Sequence, residues 1–207
     1  MTTPTAEPAS SAATPPVLPT LWLLRHGETE WSASGQYTGR TDLELTEHGR
    51  EQAAAAGERL AERGVTFDLV MSSPRRRARE TAALAGLGTP EIVDDAQEWD
   101  YGDYEGLCSA DLRLKDPSYV LWDSGVPNGE TLAEVGARAD RIVERVRREL
   151  AGGGSAILVS HGHFSRILAA RWLGLDPIHG RNFLLGTARL CELGWDKRDP
   201  AVVGWGL

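Results

Sequence analysis

The chain has 207 residues, 41% hydrophobic and 25% charged, with a formal net charge of -8. That is enough apolar material for one globular domain with a substantial core. The acid excess argues against nucleic acid or an anionic membrane surface as the main partner, because no domain-wide basic field draws phosphate backbones in. An anionic ligand must therefore meet a local cluster of arginines.

Cys108 and Cys191 lie far apart, in no CxxC or Cys/His spacing, so neither a disulfide framework nor a structural zinc site is expected. No run approaches the roughly 18 apolar residues of a membrane span, and the first residues lack the basic and apolar regions of a leader. A cytoplasmic protein is expected.

Residues 1–19 are rich in Thr, Pro, Ala and Ser and predict a disordered tail, leaving 20–207 as the folded domain. Leu21 to Arg25 predicts the first strand, followed by a long loop through Gly35-Gln36-Tyr37-Thr38-Gly39. Thr46 predicts the N-cap of a helix to Glu62, ended by Gly64. Asp68 to Ser72 is the second strand, and Ser73-Pro74 reads as cap and first position of a helix to Ala85. Glu91 to Asp94 is a short third strand.

The segment Glu98-Trp99-Asp100-Tyr101-Gly102-Asp103-Tyr104-Glu105-Gly106 fits neither period and reads as an active-site loop. From Glu130, apolar residues at helical spacing alternate with Arg138, Arg141, Arg145 and Arg148, which read as a solvated face. Ala156 to Ser160 is a strand, His161 to Leu173 a helix, and Ala188 to Leu193 and Val202 to Trp205 edge strands. Strands alternating with helices predict an α/β three-layer sandwich with a mostly parallel central sheet and helices on both faces.

Arg25-His26-Gly27 and Ser160-His161-Gly162 each stand where an apolar strand ends and a glycine turns the chain. In parallel α/β sheets ligands bind outside the carboxyl ends of the strands, so both imidazoles are expected at one rim. A neutral imidazole is a nucleophile toward phosphorus, and a neighbouring guanidinium binds the phosphoryl oxygens bidentately. Arg75, Arg76, Arg77 and Arg79 begin a helix, where cations are disfavoured unless they hold an anion; spacing alone does not choose among them.

Glu28, Glu98, Asp100 and Glu105 are candidates to protonate a leaving oxygen. Burial beside Trp99 and Tyr101 would favour the acid form of Glu98, while Asp100 and Asp103 suit turns. His163 stands two residues beyond His161 and points elsewhere on a helix, which argues against a shared metal site. His48 and His179 read as surface residues, and Trp99 as the tryptophan that touches substrate.

Leu24-Arg25-His26-Gly27-Glu28-Thr29, Ser72-Ser73-Pro74 with Arg77-Ala78 and Thr81-Ala82, Glu98 with Tyr101-Gly102, Gly129-Glu130-Thr131 and Val159-Ser160-His161-Gly162 occur in one order across everything after the tail. Together they resemble the histidine phosphatase superfamily in its phosphoglycerate-mutase-like branch, nearest to small bacterial acid phosphatases and sedoheptulose-bisphosphatase-type enzymes. The resemblance implies phosphomonoester hydrolysis without metal or cofactor, acting on a small phosphorylated metabolite.

It implies His26 as the phosphohistidine nucleophile, Arg25, Arg77 and His161 as phosphoryl ligands, and Glu98 as general acid and then base. Thr38, Gly39 and Tyr101 match substrate contacts, and Ser32, Trp99 and Gly162 complete the expected binding set. The rival readings are a bisphosphoglycerate-dependent mutase and a non-catalytic phospholigand-binding module. The resemblance itself favours hydrolysis over isomerisation, because the mutases carry a longer insertion with basic residues for a phosphoglycerate carboxylate, whereas the matching region, about Leu107 to Asn128, offers only Arg113 and Lys115, and Pro117 and Trp122 suggest a short, partly apolar cover. Oligomeric state is left open, a homodimer included.

Overall fold

The computed structural model describes residues 17–207. Of the tail expected over residues 1–19, residues 1–16 lie outside the described residues. Pro19 is already engaged, its carbonyl accepting from Trp195 Nε1 at 2.7 Å.

Six strands form one sheet: β1 (Thr20–Arg25), β2 (Leu69–Ser72), β3 (Glu91–Ile92), β4 (Ser155–Ser160), β5 (Leu190–Asp196) and β6 (Asp199–Trp205), in the order β3-β2-β4-β1-β5-β6. β3, β2, β4 and β1 are parallel, while β5 and β6 add an antiparallel hairpin. The predicted edge strand at 188–193 thus begins at Leu190 and lies inside the sheet, with β6 at the edge.

Helices cover both faces: α1 (Glu30–Ser34), α2 (Glu47–Glu62), α3 (Arg76–Leu84), α4 (Ser109–Lys115), α5 (Leu121–Ser124), α6 (Leu132–Glu149) and α7 (Gly162–Trp172). The period of two in β1 decides which residues meet which layer. Leu21 and Leu23 pack with Val135, Ile142, Phe164 and Leu168 of α6 and α7, whereas Trp22 and Leu24 pack with Ala56, Leu60, Ala78 and Ala82 of α2 and α3. The predicted three-layer α/β sandwich is the fold.

Local chemistry sets the boundaries. Thr46 caps α2 by accepting from Gly49 N–H, as expected, and Gly64 follows in the left-handed region at φ +62. α3 begins at Arg76 rather than Pro74, with Arg75 as an N-cap that makes no side-chain cap bond; Ser73 Oγ accepts from Arg75 N–H in a turn ahead of the helix and meets His161 Nε2. α1 is a turn of helix not anticipated in the loop after β1, capped reciprocally by Thr29 and Ser32.

The arginine face of α6 is only partly solvated. Arg138 bonds Glu130 and the carbonyls of Asp95 and Gln97, and lies 4.9 Å over the Phe164 ring. It ties the loop before Glu98 onto α6.

Where α2 begins, its backbone lies against the loop that follows β1. A Cβ at Gly49 would meet the Glu28 carbonyl oxygen at 2.1 Å. Gly49→Ala gains about 1 kcal/mol of helix propensity, but the overpacking costs about 1–3 kcal/mol and wins. A lower urea midpoint is expected; an unchanged or raised one would contradict this packing.

Candidate active site

β1 and β4 pair in parallel with Arg25 opposite Ser160, and His26 N–H donates to the Ser160 carbonyl at 2.9 Å. The residue after each strand is therefore a histidine at the same sheet rim. The two imidazole centroids stand 5.2 Å apart, as the paired motifs predict.

His26 Nδ1 lies 2.7 Å from the Gly27 carbonyl. A carbonyl only accepts, so Nδ1 carries the proton and the lone pair of the neutral ring is on Nε2. Burial, then the guanidinium groups of Arg77 and Arg25, hold this imidazole well below its ordinary pKa. His161 is fixed from both sides. Arg77 Nε–H donates to its Nδ1 at 3.2 Å, so its Nε2–H donates to Ser73 Oγ at 2.7 Å. Burial and then Arg77 keep it neutral as well.

A cavity of about 350 Å³ opens at this rim, lined among others by Arg25, His26, Glu98, Tyr101, Gly162 and His163. Arg25 Nη1 donates to the Leu185 carbonyl, and its buried Nε has no partner among the described residues. Gly162 lets that guanidinium cross the start of α7, since a Cβ there would lie 3.2 Å from Arg25 Cζ. Among the described residues, Glu98 is the one carboxylate on the wall. Its Oε1 accepts from Trp99 and Phe164 N–H, and its Oε2 accepts only from His163 N–H at 3.0 Å. Oε2 thus keeps a site for a proton or a substrate oxygen.

The other candidate acids are committed elsewhere. Glu28 accepts from Thr46 Oγ1, Asp100 pairs with Arg40 and closes the turn at Gly102, and Glu105 holds the N–H groups of Gly39 and Thr41.

Of the expected substrate-contact residues, Ser32, Thr38, Tyr101 and Gly162 line the cavity, although Ser32 Oγ serves the α1 cap and Thr38 Oγ1 donates to the Gln36 carbonyl. Trp99 is a correction: it is fully buried, with its indole N–H on the Glu130 carbonyl, and Trp122 takes its place on the wall. Gly39 also stands off the wall, its N–H turned to Glu105 and its carbonyl to Arg77.

Arg77 and His161 are likewise fully buried, behind the lining residues rather than among them. Arg77 Nη1 and Nη2 donate to the carbonyls of Thr41, Thr38 and Gly39. To bind a phosphoryl oxygen directly, either residue would have to exchange a partner it now holds.

Sequence reasoning missed His163 and Arg166 as wall residues. His163 bonds the Tyr101 hydroxyl through Nδ1 at 2.7 Å and stands against Trp122. Burial, then Arg166, lowers its pKa to about 3. The helical period placed both residues on α7, but only the pose of the cover segment, including Ser109, Arg113 and Trp122, turns them into cavity wall. Arg113 is one of the two basic groups that the sequence offers in that segment. His48 and His179 are exposed, as expected.

Among the described residues, no cluster of three or more His, Cys, Asp or Glu could hold a metal, and no helix is long and apolar enough to cross a membrane.

Residues 21–207 match the histidine phosphatase superfamily, branch 1. An acid phosphatase of Mycobacterium tuberculosis is 43% identical over 89% of this chain and 91% of its own length. A sedoheptulose 1,7-bisphosphatase of Saccharomyces cerevisiae is 37% identical over 78% of this chain and 70% of its own. The solved structure of a Mycobacterium tuberculosis open-reading-frame product superposes with a TM-score of 0.87 at 42% identity, covering 91% of this chain and 97% of that one.

The buried neutral imidazoles set a pH dependence. On unfolding, each returns to about pKa 6.5 and takes up a proton the native ring refuses, so below that value the unfolded chain binds more protons. Stability is full above about pH 6.5 and falls as pH drops toward the native values. His163→Gln removes one such group, and its urea stability should vary less steeply between about pH 6 and about pH 5, by about 1 kcal/mol per pH unit. Equal slopes would show that His163 is not held neutral.

Proposed function

The chain belongs to the histidine phosphatase superfamily (branch 1), and on that footing we propose that it hydrolyses phosphomonoesters of small metabolites through a phosphohistidine on His26. The observation that carries this reading is one cavity holding the free Nε2 edge of a buried neutral imidazole, the Arg25 guanidinium and the Glu98 carboxyl.

His26 Nε2 attacks phosphorus, the ester P–O bond breaks, and Glu98 protonates the departing alcohol oxygen. Glu98 then takes a proton from water, whose oxygen attacks phosphorus and breaks the P–N bond, returning neutral His26 and orthophosphate. Arg25 holds the phosphoryl oxygens with help from the positive end of α7 at Gly162. Arg77 supports the group from behind with its charge and fixes the 38–41 loop, while neutral His161 fixes Ser73. Because burial keeps His26 neutral well below pH 6.5, the nucleophile stays available in mildly acid solution.

Arg113 and Arg166 add positive charge to the wall, where Glu98 is the sole carboxylate among the described residues. Arg166 is held by the carbonyls of Gly180 and Arg181 and lies 4.8 Å over Trp122. More positive charge than one phosphoryl group needs supports a substrate with a second anionic group, in keeping with the bisphosphatase among the relatives. We further infer that 20–207 acts as a single domain in the cytoplasm.

Labelled phosphate should be trapped on the wild type as an acid-labile phosphohistidine and be absent from His26→Ala, with label passing to water rather than to a second hydroxyl group. Glu98→Gln should slow alkyl phosphates far more than p-nitrophenyl phosphate, whose leaving group needs no proton; equal slowing would remove Glu98 from the acid role. Arg166→Met should raise KM for sugar bisphosphates about tenfold while sparing p-nitrophenyl phosphate, about the loss of one charge-assisted bond. A uniform rise for both would argue against a second anion subsite.

A further inference from the structure

We propose that Arg59, on the outer layer and away from the cavity wall, is a positioning residue for the nucleophile and acts through the backbone of Ala188. The inference rests on the proposed role of His26 and adds a part of the protein that neither the motifs nor the relatives single out.

Residues Leu185 to Arg189 bracket the end of β1. The Leu185 carbonyl accepts from the Arg25 guanidinium at 2.6 Å, the Arg189 carbonyl accepts from Arg25 N–H at 3.2 Å, and Ala188 N–H donates to the His26 carbonyl at 3.1 Å. One short segment therefore sets both the phosphate-binding arginine and the main chain of the nucleophile.

That segment holds a strained residue. Ala188 has φ +50, a region an alanine enters only at a cost and keeps only where its surroundings over-determine it. Its methyl group is buried in the cluster with Trp22, Leu24 and Leu60, which explains alanine in place of glycine. The remaining constraint comes from α2. Arg59 Nη2 donates to the Ala188 carbonyl at 2.8 Å, the one hydrogen bond its side chain makes among the described residues. Without that donor Ala188 can relax toward negative φ, turning its N–H away from His26 and withdrawing Leu185 from Arg25.

Arg59→Met keeps the aliphatic stem and removes the donor. It should lower kcat for p-nitrophenyl phosphate about 10- to 100-fold, the order expected for a reacting group displaced by a fraction of an ångström to one ångström. Inhibition by vanadate, which must bond to His26, should weaken in parallel. Arg59→Met with Ala188→Gly should regain most of both, because glycine holds positive φ without help; a residue that only stabilises the fold would not be rescued by a more flexible partner.

The His26 imidazole signals of 15N-labelled protein should shift in Arg59→Met and return in the double variant, a readout that survives even if the protein hydrolyses no phosphomonoester. If Arg59→Met folds poorly, Arg59→Lys, which can still reach a carbonyl, supplies the comparison and should keep intermediate activity and near-native signals. Unchanged kcat, vanadate inhibition and His26 signals in Arg59→Met, or a double variant no better than the single, would overturn the proposal. An inactive wild type whose His26 signals respond as described would refute the phosphatase reading alone.

Discussion

The parallel pairing of β1 with β4, in the register that sets Arg25 beside Ser160, is the constraint on which the site depends. Ladder register is stiff because a slip of one residue would exchange Leu21 and Leu23 with Trp22 and Leu24 between two differently shaped cores. The spacing of the two imidazoles is thus enforced by apolar packing on both faces of the sheet, some distance from any polar chemistry. Ser160 adds a second tie at the same point, its hydroxyl donating to the Ala96 carbonyl at 2.7 Å and drawing the chain that leads to Glu98 toward β4.

Around that frame, the buried cations are kept in place by neutral backbone. Arg77 and Arg25 take carbonyl oxygens as partners, and Arg138 combines Glu130 with a row of carbonyls before Glu98. A guanidinium paired with a carboxylate would lose much of its outward field, whereas one held by carbonyl dipoles keeps its full charge. The site therefore keeps its field for an incoming anion although the chain as a whole is acidic.

The strands, the main helices and the meeting of His26 with His161 were legible because each rests on local pattern: apolar runs ended by glycine, a Thr46 cap, helical spacing in α6. The depth of side chains was less legible. Trp99 and Arg77 lie in stretches whose composition suits a cavity wall, yet long-range partners, the Glu130 carbonyl for one and the 38–41 carbonyls for the other, pull them behind it. Arg138 misled in the opposite sense, since a charged residue on a polar stripe carries no mark of the carbonyls waiting beneath it. His163 and Arg166 depend on a contact with Trp122 from a segment about forty residues upstream, which no local pattern encodes.

The cover that supplies Ser109, Arg113 and Trp122 runs between two glycines of positive φ, Gly106 at +79 and Gly125 at +66, and is tied to its surroundings by the Gln36–Cys108 bridge, by Ser109 on the Tyr37 hydroxyl and by the Asp123–Arg181 pair. His26, Glu98 and Arg25, the proposed nucleophile, acid and phosphate-binding group, all come from outside that span. On the proposed reading, part of the wall that faces the leaving group thus comes from a piece of chain that holds none of the reacting groups, and the residues at its tip can vary while His26, Glu98 and Arg25 keep their places.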